Sequence, residues 1–425
     1  MLAMQYQLEL SQWWPPEVLQ QQQFAQLNLL VKHAYQTVPF YREHFRGASF
    51  DPGAKLTPER FAQLPLLRRR DIQSAGQALL SQQVPTDHGE VGSGKTSGST
   101  GIPIQYFSTQ LTGFLFNVLS LRDNLWHGRD FRRKLAVIRE SIKHSARDAW
   151  GIPTSAIFDT GPYVSLDIRT DLATQLTWLQ EEQPDYLVSY PSNIEALAAL
   201  CVAKGIRLEG LREVRTLSET LSPELRVACR EAWGVPIADM YSASEIGYIA
   251  LQCPDYEHYH IQSEAVLVEV LSAEGQPCGP GEIGRIVLTS LHNFAMPLIR
   301  YEIGDYVQLG EPCPCGRGLP VITRIMGRLR NLVTLPDGRQ NWPILRTRYL
   351  MEVFPLRQIQ VVQRSLEQIE VKLVVARPLL PEEESKYIAI LQGSLGYPFQ
   401  ISFSYHDAIP RSASGKYEDF VSAIV

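Results

Sequence analysis

Residues 89–103 read GEVGSGKTSGSTGIP, and two phosphate-binding patterns overlap there. Gly89 to Thr96 spell the P-loop pattern G-x-x-x-x-G-K-T, and Thr96 to Pro103 spell T-S-G-S-T-G-x-P. A P-loop works where a buried strand runs into it and a helix starts at its Lys-Thr pair, aiming free N–H groups at the phosphates. Neither neighbour is present. Upstream, SQQVPTDH is polar and broken by Pro85. Downstream, glycines and Pro103 fill the first helical turns, where Gly costs about 1 and Pro about 3 kcal/mol. The second pattern suits its surroundings better. A Ser/Thr/Gly run between two extended segments lets the backbone approach phosphate oxygens, with hydroxyls and amides as donors. A solvated Ser/Gly linker is the plain alternative.

Four further stretches carry polar groups at telling places. YSASEIG (241–247) puts Tyr241 and Glu245 at the end of an apolar strand, where open α/β sheets bind ligands. A carboxylate there can hold Mg²⁺ near phosphates, although a solvated loop glutamate is the ordinary alternative. LIRYEIGDYV (298–307) sets Asp305 in a tight turn, able to accept hydrogen bonds from both hydroxyls of a ribose. GRLRNLV (327–333) lies where the composition shifts, which suits a hinge, and IPRSASGKYEDF (409–420) carries Lys416 on a Gly-containing turn. Cys253 and His260 in CPDYEHYH, with Cys313 and Cys315 in EPCPCGRG, offer two ligands from each of two loops. That set would close a tetrahedral zinc site, structural because no position is left for water. The gap between Cys313 and Cys315 is tighter than usual, His258 competes with His260, and unrelated reduced thiols are the alternative. Cys201 and Cys229 fall on helical faces and are expected simply to pack.

These residues need a scaffold. Helical spacing over 19–46 is interrupted at Pro39, and 109–126 reads as a long buried helix. Short apolar runs at 134–140, 185–191, 213–219 and 236–242 alternate with helical stretches at 170–182, 193–205 and 222–234. Such alternation predicts an α/β sheet with helices on both faces. From about Glu264 strands follow one another through Gly/Pro turns with no helix between, a β-rich subdomain. After Gly327 two strands, a helix and a last strand predict a small α+β domain. The expected organisation is a large α/β domain over 1–327, its β-rich part at 264–327, and a small C-terminal domain over 328–425.

At 425 residues the chain exceeds one compact core, so two domains are the default. A formal charge of −5 argues against nucleic acid or an anionic membrane surface as partner. No apolar run is long enough to span a bilayer, and residues 1–30 do not read as a signal peptide, so a cytoplasmic location is expected. Six cysteines in so long a chain are not a disulfide framework. A homodimer is left open.

Taken in order, these pieces resemble the adenylate-forming superfamily of acyl-CoA synthetases, adenylation domains and luciferases, nearest its phenylacetate-CoA ligase and capsular-polysaccharide branch. LLVKHAYQTVPFYREHF, LPLLRRRDIQ and LSETLSPELR share in the likeness, which spans nearly the whole chain. The resemblance implies that Thr96, Ser97, Gly98, Ser99, Thr100 and Gly101 hold the β- and γ-phosphates of ATP. It implies that Glu219 and Tyr241 flank the adenine, with Tyr241 stacked on it, and that Ser244 and Glu245 contact the α-phosphate and Mg²⁺. Asp305 and Arg328 would bind the ribose, and Lys416 would be a mobile catalytic lysine on a terminal lid. The implied reaction is ATP- and Mg²⁺-dependent activation of an aryl or other compact carboxylic acid to its acyl-adenylate, then transfer to coenzyme A. A carrier-protein thiol or an amine is an alternative acceptor, and a catalytically idle nucleotide-binding scaffold is the reading from another class. Two departures stand out: the hinge has Leu329, Arg330 and Asn331 where the family shows an acidic residue, and Ile104 replaces a lysine that many relatives keep.

Overall fold

The computed structural model describes the chain apart from residues 49, 52, 97–102, 141, 344, 346, 412–415 and 425, and apart from the side chains of 47, 329, 347, 348 and 352. Its contacts divide it into two compact units, Met1–Ile325 and Met326–Val425.

The first unit opens with α1 (Leu2–Ser11), α2 (Pro16–Thr37) and α3 (Pro39–His44). Proline starts the latter two at positions where a missing N–H is tolerated, and it steers the residue before it away from helical geometry. Leu27, Leu30, Val31 and Ala34 form the inner stripe of α2 and enter the largest core cluster with Tyr41 and Phe45. Next come α4 (Pro58–Ala62), β1 (Leu67–Arg68) and α5 (Arg69–Ala75). A separate antiparallel hairpin follows, β2 (Val91–Lys95) with β3 (Gln105–Thr109), in which Lys95 faces Gln105. Thr109 then caps α6 (Gln110–Trp126), its hydroxyl accepting from the Thr112 N–H.

Beyond α6, strands and helices alternate: β4 (Leu135–Arg139), β5 (Ser145–Arg147), β6 (Tyr163–Asp167), α7 (Leu172–Glu182), β7 (Tyr186–Ser189), α8 (Pro191–Lys204), β8 (Glu213–Thr216), α9 (Pro223–Trp233) and β9 (Ile237–Ala243). Strands β6, β4, β7, β8 and β9 lie side by side in parallel. Residues Leu135 to Ile138 are all buried, as a parallel strand covered on both faces requires.

Antiparallel strands extend the same sheet: β10 (Gly247–Gln252), β11 (Tyr259–Ile261), β12 (Val266–Leu271), β13 (Ile283–Ser290), β14 (Tyr301–Leu309) and β15 (Val321–Arg328). The antiparallel region therefore begins at β10, ahead of Glu264. Strand β9 is the seam, parallel to β8 on one side and antiparallel to β10 on the other.

The second unit has a short hairpin, β16 (Val333–Thr334) with β17 (Gln340–Asn341), then α10 (Thr347–Val353), β18 (Leu356–Gln363), β19 (Gln368–Val375), α11 (Pro381–Leu395), β20 (Gln400–Tyr405) and β21 (Phe420–Ser422). Its four-stranded sheet runs β20-β19-β18-β21, and Tyr387, Leu391 and Leu395 of α11 pack in a core of its own with Val361, Val371 and Leu373. The short β21 carries too few residues to have declared itself by pattern. No described helix is long and apolar enough to cross a membrane.

Candidate functional site

The Ser/Thr/Gly loop is carried by the β2–β3 hairpin. Thr96 closes its base twice over: its N–H donates to the Ile104 carbonyl at 2.9 Å, and its hydroxyl accepts from the Ile104 N–H at 2.9 Å. Lys95 thus ends a strand instead of starting a helix, which removes the P-loop reading on geometric grounds. Ser97, Gly98, Ser99, Thr100 and Gly101 lie outside the described residues. Ile104 explains one departure from the family pattern, because its side chain is 2% exposed and belongs to the largest core cluster, where a lysine would have to be desolvated.

At the seam of the sheet, β9 runs into a turn that presents Tyr241, Ser244 and Glu245. Tyr241 and Glu245 are buried while Ser244 is exposed. Asp305, expected in a tight turn, lies instead within β14, which brings it and Tyr301 to the same place; Gly304 supplies left-handed backbone (φ +93°) just before it, where the pairing with β13 shifts register. The Tyr241 hydroxyl donates to Asp305 Oδ2 at 2.8 Å. The Tyr301 hydroxyl donates to Glu245 Oε1 at 3.2 Å. The hairpin reaches this group through Tyr106, whose phenol is pushed up first by burial and then by the negative charge of Glu245. Tyr106 lies so close over Gly94 that a Cβ there would be 2.4 Å from its hydroxyl.

Beneath the seam, Asp239 of β9 accepts hydrogen bonds from Tyr259 at 2.6 Å and Thr216 at 2.7 Å. Burial pushes its carboxyl up to about 6, against the opposing effect of those two donors. Glu219 follows β8 through Ser218, which has φ +69°, and its Oε2 accepts from the Ser192 N–H at 2.9 Å. That carboxylate sits on the positive end of α8.

In the second unit, Arg328 closes β15 and its N–H donates to Asn331 Oδ1 at 3.0 Å. Asn331 Nδ2 in turn donates to the Phe420 carbonyl at 2.8 Å, and Arg330 pairs with Glu418. The segment expected to be a hinge therefore braces the strand that follows Lys416, which gives Arg330 and Asn331 a local task. Lys416 itself is half-buried.

The cysteine and histidine loops also meet. Ligand atoms of Cys253, His260, Cys313 and Cys315 all lie within 4.8 Å of one another. Cys253 Sγ and Cys313 Sγ are 3.9 Å apart, and Cys315 Sγ is 3.4 Å from His260 Nε2. Tetrahedral zinc–ligand bonds imply ligand separations of about 3.5–4 Å, so the donor set fits that ion. His260 Nδ1 lies 3.3 Å from the Leu319 carbonyl, so Nε2 is the nitrogen turned toward the thiols. His258 approaches Cys313 Sγ at 2.9 Å but stands outside the four-residue group. Cys315 is lowered because, against burial, the Arg317 backbone N–H and guanidinium favour its thiolate.

The structure thus joins Tyr241, Glu245 and Asp305 in one contact group of the first unit and gathers the four zinc candidates in another. Sequence reasoning overlooked Tyr301, Tyr106 and Arg69, whose Nη2 lies 3.4 Å from Thr96 Oγ1. A signal for Tyr301 was present: Tyr301/Asp305 repeats the four-residue spacing of Tyr241/Glu245.

Comparison with known proteins agrees with this architecture. The family described as the CapK C-terminal domain matches residues 349–422. Phenylacetate-coenzyme A ligase of Thermus thermophilus is 28% identical over 403 residues, covering 89% of this chain and 86% of the relative. Protein CapK of Staphylococcus aureus is 24% identical over 249 residues, covering 56% of this chain and 53% of the relative. The crystal structure of 2-hydroxyisobutyryl-CoA ligase in the postadenylation state, in complex with R3-HIB-AMP, superposes with a TM-score of 0.76 at 17% identity, over 94% of this chain and 88% of that one. The chain is a homologue of the phenylacetate-coenzyme A ligases and of CapK, built on the fold of the adenylate-forming acyl-CoA ligases.

Proposed function

We propose that this protein activates a carboxylic acid with ATP and Mg²⁺ to an acyl-adenylate and then transfers the acyl group to coenzyme A. The observation that carries the reading is the pair of carboxylates, Glu245 in the turn after β9 and Asp305 within β14, brought together by the Tyr241–Asp305 and Tyr301–Glu245 hydrogen bonds. Ligands of open α/β sheets bind outside the carboxyl ends of the parallel strands, and Glu245 follows the carboxyl end of β9. In the first step a carboxylate oxygen of the acid attacks the α-phosphorus, the bond from that phosphorus to the bridging oxygen breaks, and pyrophosphate leaves. In the second, the thiolate sulfur of coenzyme A attacks the acyl carbon, the bond to the AMP oxygen breaks, and the thiol proton passes to solvent.

In this reading the hairpin loop, Thr96 through Gly101, donates to the β- and γ-phosphates, and Ser244 and Glu245 face the α-phosphate. Mg²⁺, when bound, neutralises charge gathering on the phosphate oxygens, and Glu245 is the side chain that would hold it. Asp305 accepts from the ribose hydroxyls with Arg328 as its partner in that task, while Glu219 and Tyr241 border the adenine. Lys416, carried by a lid spanning roughly 328–425, supplies positive charge in the first step and withdraws for the second. Cys253, His260, Cys313 and Cys315 hold a structural zinc. The named acids of the relatives, phenylacetate and 2-hydroxyisobutyrate, support an aryl or compact substrate, and dependence on ATP and coenzyme A suits a cytoplasmic enzyme.

The test is exchange of labelled pyrophosphate into ATP over a library of aryl and short-chain acids, followed by thioester formation with coenzyme A. Acid-dependent exchange with at least one compact acid is expected. Absence of exchange across the library would leave a nucleotide-binding scaffold as the better description.

A further inference from the structure

Each of the two carboxylates accepts a hydrogen bond from a phenol of the other segment. The β9 segment carries a tyrosine and, four residues on, a carboxylate, Tyr241 and Glu245; β14 carries the same pair, Tyr301 and Asp305. The hydrogen bonds cross over. Tyr241 donates to Asp305 of the other strand at 2.8 Å, and Tyr301 donates to Glu245 at 3.2 Å. Both phenols are rigidly seated: Tyr301 is 0% exposed and Tyr241 7%, and both belong to the largest core cluster. Another buried phenol of that core, Tyr41, donates to the backbone carbonyl of Pro297. Satisfying a buried hydroxyl therefore does not of itself require a carboxylate.

We propose that Tyr241 and Tyr301 are reciprocal positioning residues, each fixing on the opposite strand the carboxylate that faces nucleotide: Tyr241 orients Asp305 for the ribose, and Tyr301 orients Glu245 for the phosphate-bound divalent cation. The inference rests on the proposed nucleotide site. Its physical basis is that a carboxylate offers about four lone-pair positions and each phenol uses one of them. A short side chain with several rotamers is thereby confined to one before any ligand arrives, which reduces the ordering cost of binding. Because the bonds cross, each carboxylate is tied to a ring anchored in the core on the other segment as well as to its own backbone. The cross also separates the effects: each phenol governs the carboxylate of the other strand, so the two losses differ in kind.

The experiment measures direct binding by calorimetry and Mn²⁺ spectroscopy on the full chain. ATP and 2′-deoxyATP are titrated into Tyr241→Phe, Tyr301→Phe, Asp305→Asn and Glu245→Gln, and Mn²⁺ is titrated into each variant at saturating ATP. Tyr241→Phe is expected to weaken ATP roughly tenfold, the equivalent of one hydrogen bond to a charged group, and to narrow the preference for ATP over 2′-deoxyATP, with Mn²⁺ affinity at saturating ATP unchanged. Tyr301→Phe is expected to weaken Mn²⁺ by a similar factor while leaving the 2′-deoxy preference intact. Equal losses in both readouts for either phenol would show a merely structural role and overturn the proposal, as would no change in either. If Asp305→Asn and Glu245→Gln leave both readouts untouched, the nucleotide site itself is misplaced and the positioning roles fall with it. If those two variants respond and the phenylalanine variants do not, only the positioning roles fall. Should Tyr301→Phe fail to fold, the ribose readout of Tyr241→Phe decides alone.

Discussion

Single residues show how much of this molecule depends on pairings far apart in the chain. Arg300 is one that no local pattern announces. It adopts φ +50°, a region a non-glycine side chain enters only when its surroundings hold it there. Its guanidinium pairs with Glu269 at 2.8 Å, donates to the carbonyls of Ala62 and Leu64, and lies 5.7 Å over the Phe61 ring. One buried side chain thus fastens the α4 region to the sheet immediately before Tyr301 and Asp305. Replacing it with alanine would strand Glu269, whose carboxyl burial already pushes up, without its cation. Arg300→Ala is therefore expected to cost about 3–5 kcal/mol of stability, the usual effect of removing one partner from a buried pair. Urea unfolding midpoints measure it, and a loss below about 1 kcal/mol would contradict this account.

Among the elements, the Cys/His loops have the clearest structural work to do. Arg317, two residues past Cys315, lies 4.9 Å from the Trp13 ring centroid and 4.7 Å from that of Trp126. The Gly318 N–H donates to the Gln12 carbonyl at 2.8 Å, and a Cβ at Gly318 would come 1.8 Å from the Trp14 carbonyl oxygen. A loop tied together by zinc would in this way hold the end of α1 against the end of α6. The purified protein is expected to carry one zinc per chain by elemental analysis. Stripping the metal under reducing conditions, or making Cys313→Ser, should lower the melting temperature and expose residues 11–16 to protease before the rest of the chain. A metal-free protein with the same melting temperature would end this assignment. The ligands were legible as two loops with two donors each, because residue type and clustering are local properties. The sequence already favoured His260 with His258 as its competitor, and the structure adds the strand register that brings the His260 ring to Cys315.

For the molecule as a whole, the proposed lid role of Lys416 predicts a split between half-reactions. Lys416→Ala should lose nearly all acid-dependent pyrophosphate exchange yet still convert a supplied acyl-adenylate to the thioester; equal loss of both steps would contradict a lysine that serves only the first. The second unit's own core and four-stranded sheet agree with a body able to fold around its own apolar residues. By itself, the sequence determined the succession of strands and helices and the segments that present polar groups. Apolar period, proline starts and glycine turns act over a few residues and leave their mark locally. Only the tertiary structure decided that Tyr241 meets Asp305, 64 residues on, and that Tyr301 meets Glu245, 56 residues back. Those partners follow from the order in which strands enter one sheet, a long-range choice made by the burial of whole faces, and no short stretch of chain encodes it.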